Sequence, residues 1–204
     1  MNILIISVNN ELTDFELWQN FLKGDRLALN EIYNRNLSPL YHYGMRMLQD
    51  EEVVRDCLHN LFVKLWINQK NLKPTNNIKY YLISALRNTI INYKNAEKRF
   101  QKVELNEAET FDLKFSVESE YIKKEEQQEK MLKLSEAMNK LTARQKEVIY
   151  LKYYEEMDYD QIAEIMDLTK KGTYKLSARA LEALREVLNV DKAILLALLM
   201  AWKR

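Results

Sequence analysis

Thr142-Ala-Arg-Gln145, Asp158-Tyr-Asp-Gln161 and Thr169-Lys-Lys-Gly172 open three helices in quick succession. In the first two, an oxygen-bearing side chain is followed three residues later by Gln. That is the capping box: the first side chain accepts from an orphan backbone amide, and the fourth reaches back to the first residue's own amide. Met157 and Ile162 stand at staple positions around the second start. The second helix is short, with Ile162, Ala163, Ile165 and Met166 as its apolar set. Two or three residues later Thr169 caps a third helix that runs through Leu184. A short helix, a tight turn and a longer helix make the helix-turn-helix pattern, which offers its second helix to a DNA major groove. Spacing alone also fits two short amphipathic helices in any bundle. Charge favours the DNA reading: Lys170, Lys171, Lys175 and Arg179 lie between Leu168 and Arg179 with no acid among them, whereas a merely solvated face mixes signs.

Upstream, helical periodicity starts near Leu12 and persists to about Tyr93. Val54, Leu58, Leu61, Phe62, Leu65 and Trp66 recur at steps of three and four, giving one broad apolar face. Lys70-Asn-Leu-Lys-Pro-Thr-Asn-Asn77 breaks the pattern as a loop, because Pro74 cannot continue a helix and Asn favours turns. Residues from about Phe100 to Val117 are polar, acidic and aperiodic, and read as a linker. No internal repeat is visible. The expected fold class is all-α: two small helical domains joined by an acidic linker, the C-terminal one a helix-turn-helix. The expected divisions are an extension at 1–11, a first domain at 12–97, the linker at 98–130, the helix-turn-helix domain at 131–188 and an apolar tail helix at 189–204.

Composition narrows the function classes. Among 204 residues there are three glycines and two prolines, too few for parallel-sheet enzymes whose phosphate-gripping turns need positive φ. Net charge is +1, yet its distribution is uneven. Between Leu61 and Val103, nine basic residues face the single acid Glu97; from Glu104 to Lys130, nine acids face four bases. Cationic patches therefore flank an acidic segment, a pattern suited to nucleic acid. One cysteine, Cys57, excludes an intramolecular disulfide framework and fits a small core residue in a reducing compartment. His42, His59 and Cys57 make no metal quartet or catalytic triad spacing, so neither a cofactor nor an enzymatic activity is expected. The apolar start Met1–Val8 lacks the cationic flank of a secretory signal, and the ten apolar residues Ala193–Trp202 are too short to span a bilayer. A cytoplasmic protein is the expectation.

Leu141–Tyr154, Asp158–Met166 and Arg179-Ala-Leu-Glu-Ala-Leu-Arg185 together resemble the promoter −35-binding domain of the sigma-70 family of transcription initiation factors. Asp56-Cys-Leu-His-Asn-Leu-Phe-Val-Lys-Leu-Trp66 and Tyr81-Leu-Ile-Ser-Ala-Leu-Arg-Asn88 resemble that family's polymerase-binding and −10-reading domain, and Phe21–Leu29 its first helix. The two domains alone, with a short linker, match the extracytoplasmic-function (ECF) subgroup, and the Asp56–Phe62 wording resembles its Bacteroidetes branch. The resemblance covers roughly 12–97 and 130–187. His59 and Asn60 stand where Gln and an acid are commoner, Asp167 where Gly or Asn is frequent, and Ser177 where Ile or Leu usually packs.

The resemblance implies a protein that binds core RNA polymerase and directs promoter recognition and melting, with an anti-sigma partner and no small-molecule substrate. Polymerase contact falls to Asp56, His59, Asn60 and Val63, while Phe62, Leu65 and Trp66 serve mainly as core. A −10 element is read as a melted strand, captured by cationic and amide side chains with aromatics for stacking. Lys64, Leu72, Lys73, Asn76, Asn77, Tyr81 and Asn88 supply those types; by resemblance Lys64, Leu72 and Asn88 line a pocket for a flipped base. Duplex −35 contact falls to Lys170, Lys171, Tyr174, Lys175 and Arg179, with Arg144 reaching a phosphate from its helix terminus. Arg179 has the alternative of pairing with a glutamate inside the domain. The lysines set affinity through phosphates, and Tyr174 is the candidate base-edge or sugar contact. Two other classes compete: a free-standing helix-turn-helix repressor and a helical interaction scaffold without a DNA role. The melted-strand loop opposes the first, the basic helix the second. In the tail, Ile194, Leu195, Leu198, Leu199 and Trp202 would share one face, expected to dock within the chain and hold the two domains together.

Overall fold

The computed structural model describes residues 12–101, 111–113 and 125–202. The expected extension at 1–11, most of the stretch at 98–130 and the side chain of Trp202 lie outside the described residues.

Four helices build the first half. α1 (Asp14–Leu22) starts at a capping box between Thr13 and Glu16. α2 (Arg26–Leu48) and α3 (Glu51–Asn68) are capped by Asp25 and Asp50, and α4 (Ile78–Gln101) follows the predicted loop. α2 packs on α1, α3 and α4, and α3 on α4. Trp18, Phe21, Ile32, Leu58, Leu82 and Leu86 fill the shared core. α2 approaches α3 closely at Gly44, where an added Cβ would meet Val54 Cγ1 at 2.9 Å. Cys57 is buried, as are Phe62 and Leu65; Trp66 is half-buried.

The second half comprises α5 (Glu125–Asn139), α6 (Ala143–Ile149), a π-helical turn (Tyr150–Tyr154), α7 (Tyr159–Ile165), α8 (Lys170–Leu188) and α9 (Lys192–Trp202). The capping chemistry read from sequence is present at all three starts. Thr142 with Gln145 and Asp158 with Gln161 form capping boxes, and Thr169 Oγ1 accepts from the Gly172 amide at 3.0 Å. Asp167 makes the tight turn at φ 51°, a left-handed conformation that Asp tolerates better than most residues. The molecule is all-α in two helical domains, the second a helix-turn-helix, and no strand occurs among the described residues.

Two features differ from the sequence reading. Helices enter the presumed linker from both sides, α4 to Gln101 and α5 from Glu125, and Phe111 and Leu113 within it are buried. Phe111, Leu113, Phe115 and Val117 alternate with polar residues, a period-two pattern that a search for helical periodicity passes over. The tail helix α9 packs on α5, α8 and the π turn, within its own domain. Leu195 and Leu199 are fully buried there, whereas Ile194 and Met200 face solvent. One narrow stripe is satisfied by α5 and α8, and the contacts that join the domains come from other residues.

Candidate nucleic-acid interfaces

On α3, Cys57, Leu58, Leu61 and Leu65 point into the core, which turns Asp56, His59, Asn60 and Val63 outward together. Beside them, α2 and α3 leave an apolar groove of about 1040 Å³. Tyr33, Leu37, Phe62, Val63, Trp66 and Ile67 line it, and Ile67 is 70% exposed. An apolar trough rimmed by His59 and Arg55 is a surface built to receive a helix or a similar apolar ridge.

The loop after α3 is pinned from α1. Trp18, fully buried, donates its Nε1–H to the Lys73 carbonyl at 2.9 Å, and its ring meets Tyr81 edge-on at 5.0 Å. Asp14 accepts from the Ile78 amide at 2.9 Å, and Asn77 Oδ1 accepts from the Tyr80 amide at 2.9 Å, so α4 is capped twice. Asn77 thus has a structural role as well as its place in the candidate site. Lys64, Lys73, Asn76 and Asn88 are exposed, Leu72 and Tyr81 half-buried. Sequence reasoning missed Trp18 and Asp14; each lies more than fifty residues from the group it holds, and no local pattern encodes that.

On α8, Thr173, Ser177, Ala180 and Leu184 are buried, and Tyr159 Oη and Ser177 Oγ are 3.1 Å apart. The small Ser177 is thus satisfied inward by a tyrosine, which fixes the rotation of the helix. Lys171, Tyr174, Lys175 and Arg179 are consequently exposed on the opposite side. Tyr174 packs tilted against Tyr159, with ring centroids 4.1 Å apart and the planes at 36°. Lys170 Nζ lies 2.7 Å from Asp160 Oδ2, a hydrogen bond and charge that raise the ammonium's pKa. Arg144, half-buried, donates to the Met166 carbonyl at 3.0 Å, closing the C-terminus of α7. That bond directs its guanidinium toward the turn of the motif.

Between the halves lies a polar junction that sequence did not suggest. Glu147 and Glu155 are the buried carboxylates among the described residues. Glu147 Oε1 accepts from Tyr43 Oη at 2.7 Å and from Arg87 Nε at 2.8 Å. Glu155 receives Tyr150 Oη at 2.6 Å and Lys79 Nζ at 2.9 Å, and Tyr80 Oη bonds Glu164. Burial, then the Glu147 carboxylate, push the Tyr43 hydroxyl well above the usual tyrosine range; burial, then Glu155, do the same to Tyr150. Both therefore stay protonated donors. Burial pulls the Arg87 guanidinium down, but Glu147 outweighs it and the net shift is upward. Removing one member of such a buried pair typically costs about 3–5 kcal/mol, because the other charge is left unpaired. Phe111 wedges against Tyr43 and Tyr150, and the Arg46 guanidinium lies 4.6 Å from the Tyr150 ring centroid. No group of three or more metal-ligating side chains occurs among the described residues, and no described helix is long and apolar enough to cross a membrane.

A two-domain helical chain with a helix-turn-helix whose second helix exposes its cations has the architecture of a DNA-binding protein. Residues 32–100 match the family model of Sigma-70 region 2, and residues 131–184 that of Sigma-70, region 4. RNA polymerase sigma factor YlaC of Bacillus subtilis (strain 168) is 24% identical over 161 residues, 76% of this chain and 89% of its own. ECF RNA polymerase sigma factor SigM of the same organism is 22% identical over 164 residues, 80% and 96%. In fold, the chain resembles the sigma factor RpoE in its complex with the anti-sigma factor NepR from Bartonella quintana. The TM-score is 0.57 and the identity 20%, with 79% of this chain and 97% of that one covered. CnrH in complex with the cytosolic domain of CnrY gives 0.57, 17%, 87% and 98%. The chain belongs to the sigma-70 family, in its ECF group. It is a transcription initiation factor, whose partners are core RNA polymerase and promoter DNA.

Proposed function

We propose that three surfaces of this sigma factor divide the work of initiation. The outer face of α3, with Asp56, His59, Asn60 and Val63 beside the apolar groove, docks on core polymerase. Lys64, Leu72, Lys73, Asn76 and Asn77, with Tyr81 and Asn88 on α4, capture the melted −10 strand. Lys170, Lys171, Tyr174, Lys175 and Arg179 of α8, with Arg144 behind them, hold the −35 duplex. The observation that carries this reading is the rotation of α8. Its small residues are buried and its cations exposed directly after the four-residue turn 166–169, as a helix entering a major groove requires. Tyr174, braced on Tyr159, is the base-edge or sugar contact, and the lysines neutralise phosphates.

The protein acts by binding and has no catalytic role of its own. It works in the cytoplasm, where polymerase and chromosome are, with domains at 12–97 and 131–188 and the acidic stretch at 98–130 running through polymerase as a mimic of nucleic-acid charge. The anti-sigma complexes of its structural neighbours support an anti-sigma partner for this chain too. Reconstitution with core polymerase and mapping of transcription starts tests the reading. Specific starts that require the chain are expected, with only weak duplex binding by the chain alone. Tight, sequence-specific duplex binding without polymerase would instead favour a repressor.

A further inference from the structure

The outward face of α8 is defined by what it lacks. Between Lys170 and Arg179 the exposed residues are four cations, Tyr174 and Ala178. No amide or carboxylate side chain occurs in that stretch, and those are the groups that pair with adenine or cytosine edges. Lysines meet phosphates and fix register without reading sequence. Tyr174 and Ala178 stand four residues apart, on one side of the helix and about 6 Å along its axis. That rise is close to two base-pair steps of roughly 3.4 Å. The two side chains make an apolar ridge, and the C5-methyl of thymine is the apolar group that a major groove displays.

The ridge is braced at one end. Tyr159, packed against Tyr174, is itself held: its hydroxyl lies 3.1 Å from Ser177 Oγ, and Lys152 Nζ stands 4.9 Å from its ring centroid. Lys152 is tied in turn to the Met157 carbonyl at 3.0 Å. Burial, then the Tyr159 hydroxyl beside it, push the Tyr153 hydroxyl up to about 12, so Tyr153 stays a neutral neighbour. A side chain 48% exposed would ordinarily sample several rotamers. Against a fixed ring Tyr174 keeps one, which contact with a single methyl requires.

We propose that α8 reads the −35 element through thymine methyls, with Tyr174 and Ala178 contacting two of them about two base pairs apart, and with Tyr159 as the positioning residue for Tyr174. This rests on the reading of α8 as the helix that holds the −35 duplex. The lysines then set affinity alike for every sequence, and discrimination comes from close packing on the methyls rather than from hydrogen bonds. Loss of the Tyr159 ring frees Tyr174 without touching Ala178, so the two ends of the ridge respond separately.

The test uses holoenzyme reconstituted from the full chain and core polymerase, on a promoter whose start has been mapped. Each thymine of the −35 element, on either strand, is replaced in turn by deoxyuridine, which removes the methyl and keeps every hydrogen-bonding group. Fluorescence anisotropy reads closed-complex affinity. Two replacements should each weaken binding roughly fourfold, the worth of one buried methyl. Tyr174→Ala should silence one of them and Ala178→Gly the other. Tyr159→Leu should silence the Tyr174 position alone, and Tyr159→Phe, which keeps the ring, should restore it. A general weakening of the fold moves thymine and uridine fragments together and leaves their ratio unchanged. If Tyr159→Leu prevents holoenzyme formation, Tyr159→Met, unbranched and adaptable, takes its place. No uridine effect at any thymine, or effects that survive both Tyr174→Ala and Ala178→Gly, overturn the methyl reading; a ratio unchanged by the Tyr159 variant overturns the brace. Specific starts without a uridine effect leave the sigma reading standing, whereas a chain that directs no specific start sinks both.

Discussion

α4 and α8, the two helices proposed to meet DNA, both carry cations but hold them differently. On α8, Lys171, Lys175 and Arg179 are exposed, and Lys170 pairs with the surface carboxylate of Asp160. On α4, Lys79 and Arg87 lie against buried glutamates, and the loop before the helix is tied down by Trp18 and Asp14. On the proposed assignment, the difference follows from the two substrates. Duplex DNA is met as a finished shape, so a helix exposed on its own suffices. A melted strand has no shape of its own, so the site must be rigid beforehand.

The comparison breaks first at Trp18. Trp18→Ala should cost about 3–5 kcal/mol in denaturant unfolding, and should abolish open-complex formation by releasing the loop carbonyl of Lys73. If open complexes form normally on a stable variant, the loop does not depend on α1. Asn88→Ala should leave the fold and closed complexes intact yet lower open-complex lifetime roughly tenfold, in line with about 1–3 kcal/mol for a bidentate amide–base contact. An equal loss in closed complexes would merge the two sites into one. Thr169→Ala removes the α8 cap and should lower the second domain's stability by about 1 kcal/mol, weakening −35 binding without moving the first domain's hydrogen exchange. Smallest of all, Lys175→Ala should reduce promoter affinity evenly across sequences and flatten the salt slope by about one. A sequence-dependent loss would make Lys175 a base reader and sharpen the map of α8.

Local chemistry was legible in the sequence because helix starts are written in four consecutive residues. Thr142, Asp158 and Thr169 each announce a cap, and the structure has all three. The resemblance supplied the division into two DNA sites, since the motif wording around Asp56–Trp66 and Tyr81–Asn88 is contiguous. What sequence hid is long-range and polar. Tyr43 and Glu147 lie 104 positions apart, and a glutamate destined for burial looks like any solvated one until its partners are known. The π turn at Tyr150–Tyr154, which stacks Tyr150 on Tyr154 at 4.8 Å, interrupts a pattern that reads as plain helix. The orientation of α8 sat between these extremes: Ser177 looked misplaced at an apolar position until Tyr159 supplied its partner.

The docking of α9 also orders events during synthesis. The first domain has all its helices once Gln101 is made, whereas the core of the second stays unfinished until Leu199 emerges from the ribosome. About a hundred residues separate those points, so at roughly 5–20 residues per second the gap lasts roughly 5–20 s. Until Glu147 and Glu155 have been made and their domain has folded, the nascent chain presents α4 with Lys79 and Arg87 lacking those carboxylate partners.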